Sequence, residues 1–270
     1  MKNFMYKIGL NAISASKNKI NSKLKNRILY KYIYLIKKNN QLIIKENKRD
    51  IKLALQKKIR NNLINRLIID KKKLNNICNS IKGIIKLKDP VDVTIKKWKR
   101  PNNLFIKKVS IPLGTIGVIF ESRPNVACDV SSLCFKSGNS VILRGGSEAL
   151  NSNKILVKLF RKALKINKVD PNFVQLIEKK SRSYVNFMLS NMSKYIDVII
   201  PRGGKGLVKK VQKLSKVPTI GHLEGICHTY IDKEADLQMA IKIVHNAKLR
   251  NTSICGATET LLLHKKIAKK

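Results

Sequence analysis

Acidic residues are scarce. Against 57 lysines and arginines the chain has 16 aspartates and glutamates, a formal net charge of +41. Only Glu46, Asp50, Asp70, Asp89 and Asp92 precede Ser110. Such a balance suits a nucleic-acid or anionic-membrane partner. It also suits a biased genome, because Lys, Asn and Ile, all with AT-rich codons, are abundant. The basic residues are spread along the whole chain rather than gathered in one motif, which favours the second explanation. Either way, a salt-dependent, non-specific affinity for polyanions is expected. A long apolar run is missing too: none approaches the roughly 20 residues of a membrane helix, so no membrane partner is expected. The five cysteines, Cys78, Cys128, Cys134, Cys227 and Cys255, form no C-x-x-C pair and are odd in number. That argues against a disulfide framework or a zinc ribbon and fits a reducing, cytoplasmic compartment. No internal repeat is present.

What is there reads as one α/β fold. The basic N-terminus has the composition of a transit peptide or of an amphipathic helix belonging to the fold, and the helix is the better reading. Residues 1–80 carry helical stripes: Leu24, Ile28, Tyr32, Leu35 and Ile36 make one, and Leu53, Leu55, Ile59, Leu63 and Leu67 a looser one. Between Val91 and Ile111 the pattern suits irregular extended strands. From Pro112 the texture changes. Short apolar runs at 116–120, 140–143, 173–177 and 196–200 alternate with helical patterns at 129–135, 154–164, 182–192 and 207–214. Strands alternating with helices imply βαβ crossovers and a mostly parallel sheet, whose ligands bind beyond the C-terminal ends of the strands. After Pro218, residues 227–231 and 258–263 read as strands. Asp232 is placed to cap a helix carrying Leu237, Ala240, Ile241, Val244 and Ala247.

Polar, glycine-rich segments follow the runs. Pro201-Arg202-Gly203-Gly204-Lys205-Gly206 lies between a strand and a helix. Glycines let a backbone approach a phosphate, and a helix N-terminus favours an anion; an ordinary glycine turn is the plain alternative. Arg144-Gly145-Gly146-Ser147-Glu148 places a guanidinium suited to phosphate beside a carboxylate suited to ribose hydroxyls, or is a solvated turn. Asn125, in Glu121-Ser122-Arg123-Pro124-Asn125, is an oxyanion donor or a simple helix cap. Cys255 stands alone in a polar loop with Lys248 and Arg250 nearby, cations that favour a thiolate. Most lone cysteines are buried filler.

Together these segments carry a resemblance. IPLGTIGVIFESRPNV (111–126), SLCFKSGNSVILRGGSEALNSN (132–153), YIDVIIPRGGKGL (195–207), CHTYID (227–232) and TSICGATETLLLH (252–264) resemble the gamma-glutamyl phosphate reductases of the aldehyde dehydrogenase superfamily, over essentially the whole chain. The resemblance implies an aldehyde dehydrogenase-like fold: N-terminal helices and extended strands over 1–110, a Rossmann-like NADP-binding domain over 111–221, and the start of a catalytic domain over 222–270. It implies NADPH-dependent reduction of L-glutamyl 5-phosphate to L-glutamate 5-semialdehyde through a Cys255 thioester, a step of proline biosynthesis. Asn125 and the Cys255 backbone N–H would hold the oxyanion. Arg144, Gly145, Ser147 and Glu148 would lie near the adenosine ribose and its 2′-phosphate, and Arg202, Gly203, Gly204 and Gly206 near the diphosphate or nicotinamide. Homo-oligomers are usual in the family.

Departures accompany the resemblance. Asn251-Thr252 stands where the family often has Arg-Pro, Gly256 where Asn commonly follows the cysteine, and segment 219–226 is less glycine-rich than in many members. Glu224 lies where hydrolytic relatives keep a general base, which a phosphate leaving group does not require. The chain also stops before most of the family's catalytic domain. Two alternatives are therefore an inactive or split fragment completed by a separate C-terminal half, and a repurposed basic protein that binds nucleic acid.

Overall fold

In the computed structural model, residues 1–222, 225–252 and 254–268 are described, apart from the side chain of Asn62. The chain divides into two compact units, Met1–Gly221 and His222–Lys270.

The first unit opens with five helices: α1 (Lys2–Ser16), α2 (Ser22–Lys38), α3 (Asn40–Gln56), α4 (Asn61–Leu67) and α5 (Lys71–Lys86). Short polar caps begin two of them. The Asn21 side chain accepts from Leu24 N–H and Asp70 from Lys73 N–H, each satisfying a donor that helix geometry leaves free. The basic N-terminal segment is a helix of the fold, burying Met5, Ile8, Ala12 and Ala15. β1 (Thr94–Lys99) and β2 (Phe105–Val109) follow as an antiparallel ribbon, solvent-facing along nearly its whole length.

Then comes the parallel sheet. β3 (Thr115–Phe120), β4 (Ser140–Gly145), β5 (Val174–Leu176) and β6 (Val198–Arg202) run in the order β5-β4-β3-β6. Helices α6 (Asn125–Lys136), α7 (Leu150–Ile166), α8 (Ser183–Asn191) and α9 (Lys205–Leu214) connect and flank them. Alternation along each strand divides the core. Ile116, Val118, Phe120, Val141 and Leu143 face a large cluster built from α2, α5, α6 and α7. Ile119, Ile142 and Ile199 face α1, α8 and α9, with Met5, Met188 and Val211. Both faces are covered, which is why these strands read as continuous apolar runs. The chain steps from β3 to β4 to β5 in one direction and then returns to place β6 on the other side of β3. In register, Phe120 pairs with Gly145 on one side and Arg202 on the other. The C-terminal ends of β3, β4 and β6 are thus level, and the reversal of order falls between β3 and β6, where such sheets bind ligands.

Two expectations are corrected. Leu53 and Leu55 are exposed rather than part of a buried stripe. The buried stripe of α3 is Ile43, Asn47, Asp50 and Ala54, half of it polar, so hydrophobic spacing could not reveal it. Its polar members make specific bonds. Asn47 Oδ1 accepts from Ile69 N–H, and its Nδ2 donates to Leu67 O and Ser152 Oγ. Asp50 takes four donors, the backbone N–H and side chain of Asn151 and those of Ser152, at 2.7–3.1 Å. It thereby caps the start of α7 from another helix. Burial pushes the Asp50 carboxyl pKa up, opposed by those hydrogen bonds. Asp50→Ala strands the donors at the mouth of α7 and is expected to cost about 2–3 kcal/mol of unfolding free energy. Urea denaturation checks this; a loss within about 0.5 kcal/mol, the range of a neutral surface change, would show that water replaces the clamp.

The second unit has β7 (Cys227–Ile231), α10 (Leu237–Leu249) and β8 (Thr258–Leu263), the two strands parallel. The other correction lies here. Asp236, not Asp232, caps α10, accepting from Met239 N–H at 2.8 Å. Asp232 instead accepts from Glu234 N–H and the Tyr230 hydroxyl, closing a turn before the helix starts.

Candidate active site

In the first unit three loops leave the level strand ends. After β3, Ser122 adopts a positive φ of 38°, uncommon for a residue with a side chain. Its backbone N–H and its hydroxyl both donate to Glu148 Oε1, at 2.9 and 2.7 Å. The loops after β3 and β4 are therefore tied together by a carboxylate. Asn125 is the first residue of α6, with Pro124 at the cap position, so it is not the helix cap. Its amide donates to Asp129 Oδ2 at 3.2 Å.

After β4, Arg144 is buried. Its guanidinium donates to Gly145 O and, at 3.0 Å, to Lys180 O. Its Nε has no partner, and burial lowers its pKa, with Glu148 opposing. Arg144 thus braces the strand end against the segment beyond β5. Gly145 is required by crowding, since a Cβ there would collide with the Asn153 amide. Ser147 opens a short 3-10 turn and is exposed.

After β6, Arg202, Gly203, Gly204 and Gly206 are all exposed, and Gly204 occupies the cap position of α9. The Gly204 N–H donates to Glu121 Oε2 at 3.0 Å. A Cβ on Gly203 would lie 2.5 Å from the same oxygen, while Gly206 faces open space. The start of α9 therefore already holds an anion, the carboxylate of Glu121, as helix geometry favours. Nothing in the sequence pattern marked Glu121 for this role, because the contact spans two strands. Arg202 and the three glycines of this loop come together there. Glu148 and Arg144 are engaged within the protein one loop away.

In the second unit Cys255 is exposed, on the turn between α10 and β8. The backbone holds that turn. Cys255 O accepts from the Cys227 thiol at 3.3 Å, and a Cβ on Gly225 would come within 2.8 Å of the same oxygen. Cys227 and Gly225 support the cysteine turn, which spacing alone did not suggest. Cys78, Cys128 and Cys134 are buried. Burial raises all three thiols, Cys134 to about 12. Glu224 and Ser253 lie outside the described residues.

The aldehyde dehydrogenase family model matches residues 12–270. The chain belongs to the aldehyde dehydrogenase family. Aldehyde dehydrogenases work with a nicotinamide cofactor. Among curated aldehyde dehydrogenases, the gamma-glutamyl phosphate reductase of Clostridium botulinum is 43% identical over 260 residues, 96% of this chain and 61% of its own length. That of Clostridium tetani is 42% identical over 270 residues, 99% of this chain and 63% of its own length. The crystal structure of gamma-glutamyl phosphate reductase from Thermotoga maritima superposes with a TM-score of 0.92 at 35% identity, covering 98% of this chain and 64% of that one. This aldehyde dehydrogenase chain thus spans about three-fifths of the length of the curated relatives it matches. Among its described residues no helix is long and apolar enough to cross a membrane.

Proposed function

We propose that this chain carries the cofactor-binding and nucleophile-bearing parts of an NADPH-dependent gamma-glutamyl phosphate reductase. The observation that carries the reading is Cys255: the exposed cysteine of the five, on a turn pinned by its own backbone, in a chain with close likeness to reductases of that name.

The Cys255 thiolate attacks the acyl carbon of L-glutamyl 5-phosphate. The carbon–oxygen bond to phosphate breaks, phosphate leaves with the electron pair, and a thioester remains. Bound NADPH supplies hydride to that carbon. The tetrahedral alkoxide left on that carbon collapses, expels the Cys255 thiolate and releases the semialdehyde. Covalent capture divides one hard step into two easier ones. The Asn125 amide and the Cys255 N–H are the proposed oxyanion donors; losing one typically costs about 10²–10³ in rate. In the free protein the Asn125 amide donates one N–H to Asp129, and its second N–H is the one proposed for the oxyanion. Gly203, Gly204 and Gly206 border the diphosphate. Glu148 acts here by tying the loop after β4 to that after β3, Arg144 by bracing the end of β4 against the segment beyond β5, and Ser147 is the exposed group of the β4 loop.

Alkylation tests the reading. With iodoacetamide on the folded chain, Cys255 is expected to react first, half-buried Cys227 more slowly, and Cys78, Cys128 and Cys134 not until unfolding. A non-hydrolysable phosphonate analogue of the acyl phosphate, added with NADP⁺, is expected to slow Cys255 labelling several-fold and leave Cys227 unchanged. Peptide mass spectrometry reads both. Labelling of Cys255 that ignores analogue and cofactor alike would remove the reductase reading.

A further inference from the structure

The reversal of strand order between β3 and β6 gathers more positive charge than the cofactor loops account for. Arg202 is the last residue of β6 and pairs with Phe120, the last of β3. Arg123 follows three residues beyond Phe120, and Glu121 N–H donates to Arg202 O at 3.2 Å. A third guanidinium arrives from the N-terminal helices. Ile64 and Leu67 of α4 pack on Ala149, just beyond the β4 loop, and bring Arg66 to the same end of the sheet. Lys73 Nζ donates to Arg66 O at 3.0 Å and adds a fourth cation.

These cations repel one another. The Arg123 pKa is lowered by partial burial and then by Arg66 and Arg202. Burial lowers that of Lys73 first; Asp70 opposes, and Arg123 lowers it further. The ion pairs of Lys25, Arg49, Lys154 and Lys233 lie outside this group. The carboxylates described nearby also accept from other donors: Glu121 from Gly204 N–H, Asp70 from Lys73 N–H and Glu148 from Ser122. Arg66, Arg123 and Arg202 are exposed residues. A fold that gathers three guanidiniums at a ligand-binding crevice, none of them in an ion pair among the described residues, is suited to a multiply charged anion.

We infer that Arg66, Arg123 and Arg202 form a phosphoryl-binding site at the β3–β6 crevice, with Lys73 supporting it. The inference deepens the reductase reading, in which two ligands carry phosphoryl groups: the acyl phosphate, with the phosphate it releases, and the cofactor. Arg123 lies two residues before Asn125 and Arg202 directly before the glycine turn, so the site borders the places proposed for both.

The test uses the whole chain, with inorganic phosphate and NADP⁺ as separate probes in titration calorimetry at low salt. Arg66→Gln and Arg123→Gln are each expected to weaken phosphate binding by about 10-fold or more, the worth of a charge-assisted bond. Arg123→Lys, keeping charge but not the fork, should fall between. Lys158→Gln and Lys162→Gln remove one charge each from exposed positions of α7 and are expected to leave binding unchanged. If NADP⁺ weakens in parallel with phosphate, the site serves the cofactor. If phosphate alone weakens, it serves the acyl phosphate. Equal losses from the α7 variants, or no response of either probe to Arg66→Gln and Arg123→Gln, would overturn the site. A wild-type chain that binds phosphate but no NADP⁺ would instead remove the reductase reading and leave the site standing.

Discussion

Cys255→Ser is expected to lower acyl-phosphate-dependent NADPH oxidation by about 10⁴-fold or more, the scale on which enzymes lose activity when their nucleophile is removed. A hydroxyl is a weak nucleophile unless a base activates it, and a thiol is intrinsically far stronger. No other cysteine can take over. Cys78, Cys128 and Cys134 are buried with raised pKa values, and the Cys227 thiol donates to the backbone of the very turn that carries Cys255. Because the chain spans about three-fifths of its curated relatives, the assay is made on the chain joined to the C-terminal part of a related reductase. Two controls separate chemistry from folding. Cys255 is exposed, so the melting temperature should not move. The cofactor loops belong to the other unit, so NADP⁺ affinity should not move either. Retention of more than about one hundredth of the wild-type rate, above any plausible residual without the nucleophile, would assign the covalent step elsewhere.

The parts legible in the sequence are those that depend on local pattern. Runs such as 116–120 and 140–143 are apolar because both faces of the sheet are covered, and the observed strands β3 and β4 enclose them. The glycine turn after β6 was visible because a strand, glycines and a helix follow one another within a few residues. Cys255 was visible through its company of motifs, and its exposure agrees with a reactive rather than a filler thiol. What escaped depends on residues distant in sequence. The buried stripe of α3 contains Asn47 and Asp50, whose partners lie 20 to 105 residues away, and polar groups that are buried for such reasons look like surface. Glu148 and Ser122 are joined across 26 residues, and Glu121 and Gly204 across 83. Spacing singled out Arg144 and Glu148 but could not say that one turns inward to backbone carbonyls and the other to Ser122. The cap of α10 was misplaced by four residues because Asp232 and Asp236 are both good caps, and only the turn between them decides which one opens the helix.

Phe160→Ala is expected to cost about 3–5 kcal/mol, a large share of a typical domain stability of about 5–15 kcal/mol. Phe160 is wholly buried on α7. Its ring lies 4.6 Å from that of Tyr32 on α2 and 5.7 Å, edge to face, from that of Phe135 on α6, which meets Phe173 at 5.4 Å. One side chain thus joins three helices on the same face of the sheet. The Tyr32 hydroxyl is fixed as well, donating to Leu156 O with the Cys128 thiol 3.0 Å away to donate back, so the Tyr32 ring is tethered and the cavity stays open. Leu10→Ala, at a residue 59% exposed on α1, provides the contrast and should change stability by no more than about 0.5 kcal/mol. Urea denaturation of both variants measures the difference. Loss of packing should also reach the ligand loops, because α7 begins directly after the Arg144–Glu148 turn and is held there by Asp50; NADP⁺ affinity is therefore expected to fall in Phe160→Ala even under conditions where the variant remains folded. A cost below about 1 kcal/mol would mean that the three helices close over the gap, and that the first unit is a looser assembly than its aromatic contacts indicate.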